Sequence, residues 1–361
     1  MIAYREVEKV VDDYIFPSVR ELYGLDGYEI NLIDRGYEIC DGQNAVYCCK
    51  KLGENTKILR VALNDRTRVD LLAESEYVRY LYENGGNVAN VINSKRGNLI
   101  EEISCGDATY IVSLYVKADG KHFHENGYKY REGIPISEYH FNIGKTIGKL
   151  HQLSKAYTPI HRRYDFTDIY NADYINALIP DTYDLLKSKL CGVIDELIGI
   201  GCEGQFYGMI HFDYNDSNYF IDFETGKITV FDFDNSCYGW FMFDLAYAWV
   251  FGVGVAYTES DVIKRKERMG IFFSTIIEGY RSETFLDNII LDKLPLFINA
   301  VIMTLIVEAF EYIRDNNEEP ECDFDLKYLI KCLECDIPYM GFFSELYSCE
   351  NPFGLAVTGV S

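Results

Sequence analysis

Basic residues are the scarce class in this chain. Of 361 residues, 34 are Lys or Arg against 57 Asp or Glu, a net charge of −23. That balance argues against nucleic acid and anionic membrane as partners, because a phosphate-bearing surface needs a basic footprint. It suits a cationic substrate, and serves solubility equally well. Long apolar runs are also missing. The longest uncharged stretches, Leu245–Thr258 and Leu294–Val307, have 14 residues each, too short for a bilayer and suited to buried helices. The opening MIAYREVEKVVDDY is charged throughout, which is not the pattern of an export signal. The 11 cysteines are scattered without a framework, so we expect a reduced, cytoplasmic protein. Cys332-Leu333-Glu334-Cys335 has no second pair or nearby His, and His122 with His124 lacks further ligands, so neither reads as a metal site. No repeat or low-complexity segment occurs. What remains is a globular composition, 48% hydrophobic and 15% aromatic, with length enough for two cored lobes.

Chemistry concentrates in Met209–Ser236. Tyr219–Phe223 and Ile228–Asp232 are rich in β-branched and aromatic residues, and Glu224–Lys227 is a Gly-containing turn, so the pair reads as a hairpin. Folding about that turn sets 223 opposite 228 and 219 opposite 232. Asn218 and Asp232 then meet at the open end, and Asp213 enters from the preceding loop. An amide oxygen and two carboxylates are hard ligands that suit Mg²⁺. Asp234 shares a strand face with Asp232 and reads as a further metal-site carboxylate.

Upstream, residues 5–24 have helical periodicity that Pro17 should end or kink. Tyr28–Asp34, Ala45–Lys51 and Lys57–Leu63 read as antiparallel strands, with turns at Asp41–Asn44 and Gly53–Asn55. A helix follows over Thr67–Glu83. Glu74 falls inside its apolar stripe, at i+3 from Leu71 and i−4 from Val78, so it needs a partner or must lose its charge. Tyr110–Val116 is another strand. Helices are expected over Ile136–Tyr157, Leu185–Ile200, Ser260–Tyr280, Leu286–Asn316 and Leu326–Met340. Tyr164–Tyr174, with Asp165, Asp168 and Asp173, reads as a linker or as the lining of a cationic pocket.

His211-Phe212-Asp213 followed by Asn218 resembles the H-x-D-x-x-x-x-N loop of the protein-kinase-like superfamily, and Phe231-Asp232-Phe233-Asp234 resembles its D-F-G or D-[FW]-[DEG] segment. On these residues the chain is identified as a member of the aminoglycoside phosphotransferase / choline kinase family. The resemblance implies an α+β, two-lobed kinase-like fold, with a small antiparallel-sheet lobe over residues 1–118 and a mainly helical lobe over 119–361. It implies ATP as phosphoryl donor, with GTP as the alternative, and Mg²⁺. Asp213 would be the catalytic base, and Asn218, Asp232 and Asp234 the metal ligands. Gly42 and Asn44, in G-x-N-x-[apolar]-Y, would approach the phosphates. Arg60, with Lys57 in reserve, would clamp them and pair with Glu74, or with Glu76. Backbone groups of Leu114 and Val116 would read the adenine edge. His151 and Asp244 would support the catalytic loop.

Two positions depart from the family pattern. Phe212 stands where Gly is usual and should point into the core, and Asn215 stands where protein kinases place Lys. Only 11 residues separate Asp232 from Asp244, too few for a protein-kinase activation segment. The implied acceptor is therefore a small-molecule hydroxyl: an aminoglycoside, amino alcohol, hydroxy amino acid or sugar. A non-catalytic nucleotide-binding protein and a compact Ser/Thr protein kinase are the competing readings.

Overall fold

A computed structural model describes residues 11–33, 44–62, 66–106, 108–202, 204–252, 261–318 and 326–339. A π-turn, Val11–Ile15, leads into α1, Phe16–Tyr23. Pro17 does not end this helix. It lies in the first turn of α1, where a missing N–H costs nothing. Strands β1 (Glu29–Leu32), β2 (Ala45–Lys50) and β3 (Lys57–Ala62) run antiparallel. Helix α2, Arg68–Glu83, follows, opened by a capping box between Thr67 and Asp70. The sheet is completed by β4 (Val91–Ile92), β5 (Ile100–Cys105) and β6 (Ala108–Val116), in the order β1-β2-β3-β6-β4 with β5 also on β6. One sheet face is covered by α1. Val11, Ile15 and Val19 pack there with Leu59, Val61 and Leu114 in a core of their own.

The rest is mainly helical. Helices α3 (Ile136–Ser154), α4 (Phe166–Ile169), α5 (Ala172–Leu178) and α6 (Asp184–Ile200) precede four short strands. These are β7 (Tyr207–Ile210), β8 (Tyr219–Ile221), β9 (Ile228–Val230) and β10 (Cys237–Trp240). Then come α7 (Met242–Phe251), α8 (Val262–Glu283), α9 (Asn288–Leu291), α10 (Leu294–Asn316) and α11 (Leu326–Glu334). The sequence suggests one helix over Leu286–Asn316. Instead Pro295 starts α10 afresh after α9, since proline cannot continue a helix. By length and composition α10 could cross a membrane, but 72% of its apolar window is buried in the protein.

Two glycines let α8 press onto α3. A Cβ on Gly144 would stand 1.8 Å from the Ile276 carbonyl oxygen, and one on Gly148 would stand 2.6 Å from that of Tyr280. This approach carries Tyr280 to His151, near the end of α3. A second, larger core joins these helices to the inner face of α2 through Tyr77, Val78 and Leu81. The result is an α+β fold of two lobes, a small antiparallel-sheet lobe and a large helical one.

Candidate active site

Strands β8 and β9 pair with Tyr219 opposite Val230 and Ile221 opposite Ile228. The register is shifted by two residues from the one the sequence suggests. Asp222 is the cause: its carboxylate accepts the backbone N–H of Glu224 at 2.8 Å and that of Thr225 at 3.4 Å. Asp222 and Phe223 therefore belong to the turn, as Asx-type bonding favours. A shift of two preserves the faces. Asn218 still reaches the open end, where its carbonyl accepts the Phe231 N–H at 2.9 Å.

The loop before β8 hangs from one buried carboxylate. Asp244, 1% exposed at the start of α7, accepts the N–H of His211 at 2.9 Å and of Phe212 at 2.8 Å. His151 donates Nε2–H to the same carboxylate at 2.9 Å and accepts the Tyr280 hydroxyl at Nδ1. Burial would raise the Asp244 carboxyl, but His151, His211 and these N–H groups hold it below its usual range. Phe212 adopts φ +67°, a region glycine enters freely. For Phe it costs on the order of 1–2 kcal/mol. Its ring is buried against Phe166, Tyr170, Phe243 and Tyr247, which contributes roughly 1.5–3 kcal/mol. Burial and the Asp244 bonds outweigh the strain.

His211 turns Nε2–H to the Phe231 carbonyl at 3.0 Å and accepts the Asp213 N–H at Nδ1. Loop and hairpin are thereby tied together. Amides hold the Asp213 carboxylate: Asn215 Nδ2 donates to Oδ1 at 2.7 Å and Asn218 Nδ2 to Oδ2 at 2.9 Å. Asn215, the departure from the protein-kinase pattern, is thus a direct partner of Asp213. Burial pushes the Asp213 carboxyl up to about 6. His211 opposes this and the nearby Asp232 carboxylate adds to it. A carboxyl near 6 is suited to taking a proton at neutral pH.

The implied Mg²⁺ can be tested against these donors. Asn218 spends its Nδ2 on Asp213, which leaves Oδ1 as its ligand atom. Asp232, at φ +63°, stands close enough to raise the Asp213 carboxyl. An amide oxygen beside a carboxylate fits an ion that takes its other ligands from water and phosphate. Among the described residues no cluster of three or more His, Cys, Asp or Glu forms an all-protein cage. Asn218 and Asp232 fit the ion.

Asp234 does not. Its carboxylate is occupied by small-lobe donors: the Arg60 guanidinium, the Asn44 amide and, at 3.3 Å, Arg66. Burial would raise this carboxyl, but Arg60, Arg66 and Arg163 hold it below its usual range. The chain leaves extended geometry at Asp232, so the strand face expected to align Asp232 with Asp234 does not exist.

Arg60, on β3, pairs with Glu74 at 2.8 Å, and both are buried. The acid in the apolar stripe of α2 thus meets its cation. Glu76 pairs with His161 instead, and Lys57 donates to the Tyr28 hydroxyl. Gly42 lies outside the described residues. The adenine-reading assignment needs correction. Leu114 lies between β3 and β4, and Val116 gives its N–H to Asn90. Leu114 is thus flanked by strands on both sides, and the Val116 N–H is already engaged.

Sequence reasoning misses Arg163 and Glu308. Arg163, 2% exposed, donates to the carbonyls of Asp234, Ser236 and Asp70, pinning the segment after Asp232 against α2. Glu308 lies on the α10 face that also carries Thr304 and Glu311. Thr304 meets Tyr247 and Glu311 accepts the Tyr174 hydroxyl. Glu308 keeps contact with solvent. Surrounding protein, then the Asp213 and Glu311 carboxylates, shift its carboxyl upward. No cation pairs with it among the described residues. Asp165, Asp168 and Asp173 prove to be capping and first-turn residues of α4 and α5.

The model of the phosphotransferase enzyme family matches residues 41–267. Amicoumacin kinase from Bacillus subtilis (strain 168) is 23% identical over 330 residues, covering 88% of this chain and 92% of that protein. The solved amicoumacin kinase in complex with AMP-PNP, Ca²⁺ and Ami superposes with a TM-score of 0.74 at 21% identity, covering 96% of this chain and all of that one. A microcompartment-associated aminopropanol kinase gives 0.67 at 20% identity, covering 90% and 99%. These structures share the two-lobed, protein-kinase-like fold. With a family match over more than half its length, this chain belongs to the phosphotransferase enzyme family and is a kinase of hydroxyl acceptors.

Proposed function

We propose that the protein transfers the γ-phosphoryl group of ATP, or of GTP, to the hydroxyl of a small cationic amino alcohol. The observation that carries this reading is the held carboxylate of Asp213, gripped by two amides beside Asp232 and tuned towards neutrality. Asp213 accepts the proton of the acceptor hydroxyl and aims its oxygen at the phosphorus. Asn218 and Asp232 would hold Mg²⁺, which when bound supplies charge neutralisation to the phosphates. Arg60, fixed by Glu74, presents a fork of N–H donors to phosphate oxygens. Such a site works by positioning and charge, with little covalent chemistry of its own. We assign nucleotide binding to residues 1–118 and acceptor binding to residues 119–361.

A cationic acceptor is favoured by Glu308. Glu308 is exposed on α10 and the Asp213 carboxylate helps to shift its carboxyl upward, so an ammonium group near the two acids would favour their ionised forms. The name aminopropanol kinase describes the same pairing of amine and hydroxyl in a relative of this fold. The test is Mg-dependent ADP or GDP release across a panel of amino alcohols, aminoglycosides, hydroxy amino acids and sugars. Turnover confined to amine-bearing alcohols is expected. Turnover with neutral sugars alone would overturn the acceptor class.

A further inference from the structure

Arg60 is neutralised twice. Its Nη2 meets Glu74 at 2.8 Å, and its Nη1 meets Asp234. Two carboxylates thus engage both terminal nitrogens of the guanidinium that phosphate oxygens would meet. A phosphate oxygen can gain Arg60 only if one carboxylate lets go. Glu74 cannot. Its side chain is 1% exposed inside an apolar stripe, so release would strand a buried charge. Asp234 can. It is 17% exposed, and Arg66, at 3.3 Å from its Oδ1 and 25% exposed, stands ready as its other partner. Asn44 is drawn into the same arrangement through its Nδ2, while its buried Oδ1 finds no partner among the described residues. The present arrangement thus leaves Asn44 half-satisfied and Arg60 unavailable.

We propose that Asp234 is a positioning residue that competes with the nucleotide phosphates for Arg60 and so sets the affinity of the site for its nucleotide. On binding, the phosphates take the Nη1 edge of Arg60, and Asp234 passes to Arg66. The proposal rests on the reading of Arg60 as the phosphate cation.

Calorimetric titration of the full chain with Mg-ATP tests it, using Asp234→Asn, Arg66→Gln, Arg60→Gln and the Asp234→Asn/Arg60→Gln double variant. Asp234→Asn should tighten nucleotide binding about tenfold, as removal of one competing charge would. That gain should vanish in the Arg60→Gln background. Arg66→Gln should weaken binding, because Arg60 is then the only cation left in a salt bridge with Asp234 among the described residues. A purely structural role cannot move these two variants in opposite directions. Should Asp234→Asn fail to fold, Arg66→Gln still decides, since it leaves the triad itself in place. Weaker or unchanged binding in Asp234→Asn, with Arg60→Gln weakened, would overturn the competition and spare the reading of Arg60. Unchanged binding in Arg60→Gln would overturn both.

Discussion

Asp213 and Asp234 are two carboxylates of one site, treated in opposite ways. Amides hold Asp213, and its carboxyl is raised to about 6. Guanidinium groups hold Asp234, and its carboxyl is lowered. Burial acts on both in the same direction, so the difference lies in the partners. An amide orients a carboxylate without supplying a charge, which leaves its affinity for a proton high. An arginine fixes the negative form outright. The first environment makes a base, and the second makes a counterion.

The largest effect that would break this contrast is expected at the anchor of the catalytic loop. Asp244→Ala strands His151 and two buried N–H groups and should cost about 3–5 kcal/mol, read from urea unfolding. Next is Phe212→Gly. Removing the ring costs about 3–5 kcal/mol, whereas relieving its backbone strain returns on the order of 1–2 kcal/mol. The variant should therefore lose roughly 2 kcal/mol in the same assay, and a gain in stability would mean that strain dominates. The two acids themselves differ in sign with pH. Asp213 has a folded pKa above its unfolded value, so its contribution to stability is present at low pH and lost as pH rises through about 6. Asp234 has a lowered pKa, so its contribution is present above the unfolded value and lost as pH falls below it. Asp213→Asn should accordingly raise Tm more at pH 8 than at pH 5. The mildest change sharpens the acceptor side: Glu308→Gln should raise KM for a cationic amino alcohol about tenfold with kcat unchanged, as loss of uniform binding does.

Legibility of the site in the sequence follows the distance over which its parts interact. Asp213 and Asn218 lie within one loop, so their convergence is written in nearby letters, whereas the Asn215 bond to Asp213 was not read from them. Glu74 is legible for another reason: a carboxylate inside an apolar stripe announces a missing partner. The fold was legible in its strands and helices, and the errors fall where a side chain or a proline overrides periodicity. Asp222 shifts the hairpin register, and Pro295 starts a new helix inside the expected span Leu286–Asn316. Asp234 was misread because alternation along a strand assumes extended backbone, which ends at Asp232. Arg163 bonds chiefly to carbonyls distant in the chain, those of Asp70, Asp234 and Ser236, which its neighbours in sequence do not announce. Glu308 did leave a signal. It interrupts the uncharged run that ends at Val307, yet α10 continues past it to Asn316, so the acid had to face a cleft or solvent.

The most direct test of Asp213 as the base compares Asp213→Asn with the wild type in two readings on the same preparation: kcat with an amino-alcohol acceptor and Kd for Mg-nucleotide. The isosteric amide keeps the shape of the site and removes its proton acceptor. A loss of about 10²–10⁴-fold in kcat, with nucleotide affinity nearly unchanged, is the predicted result. Retained turnover in Asp213→Asn would contradict it.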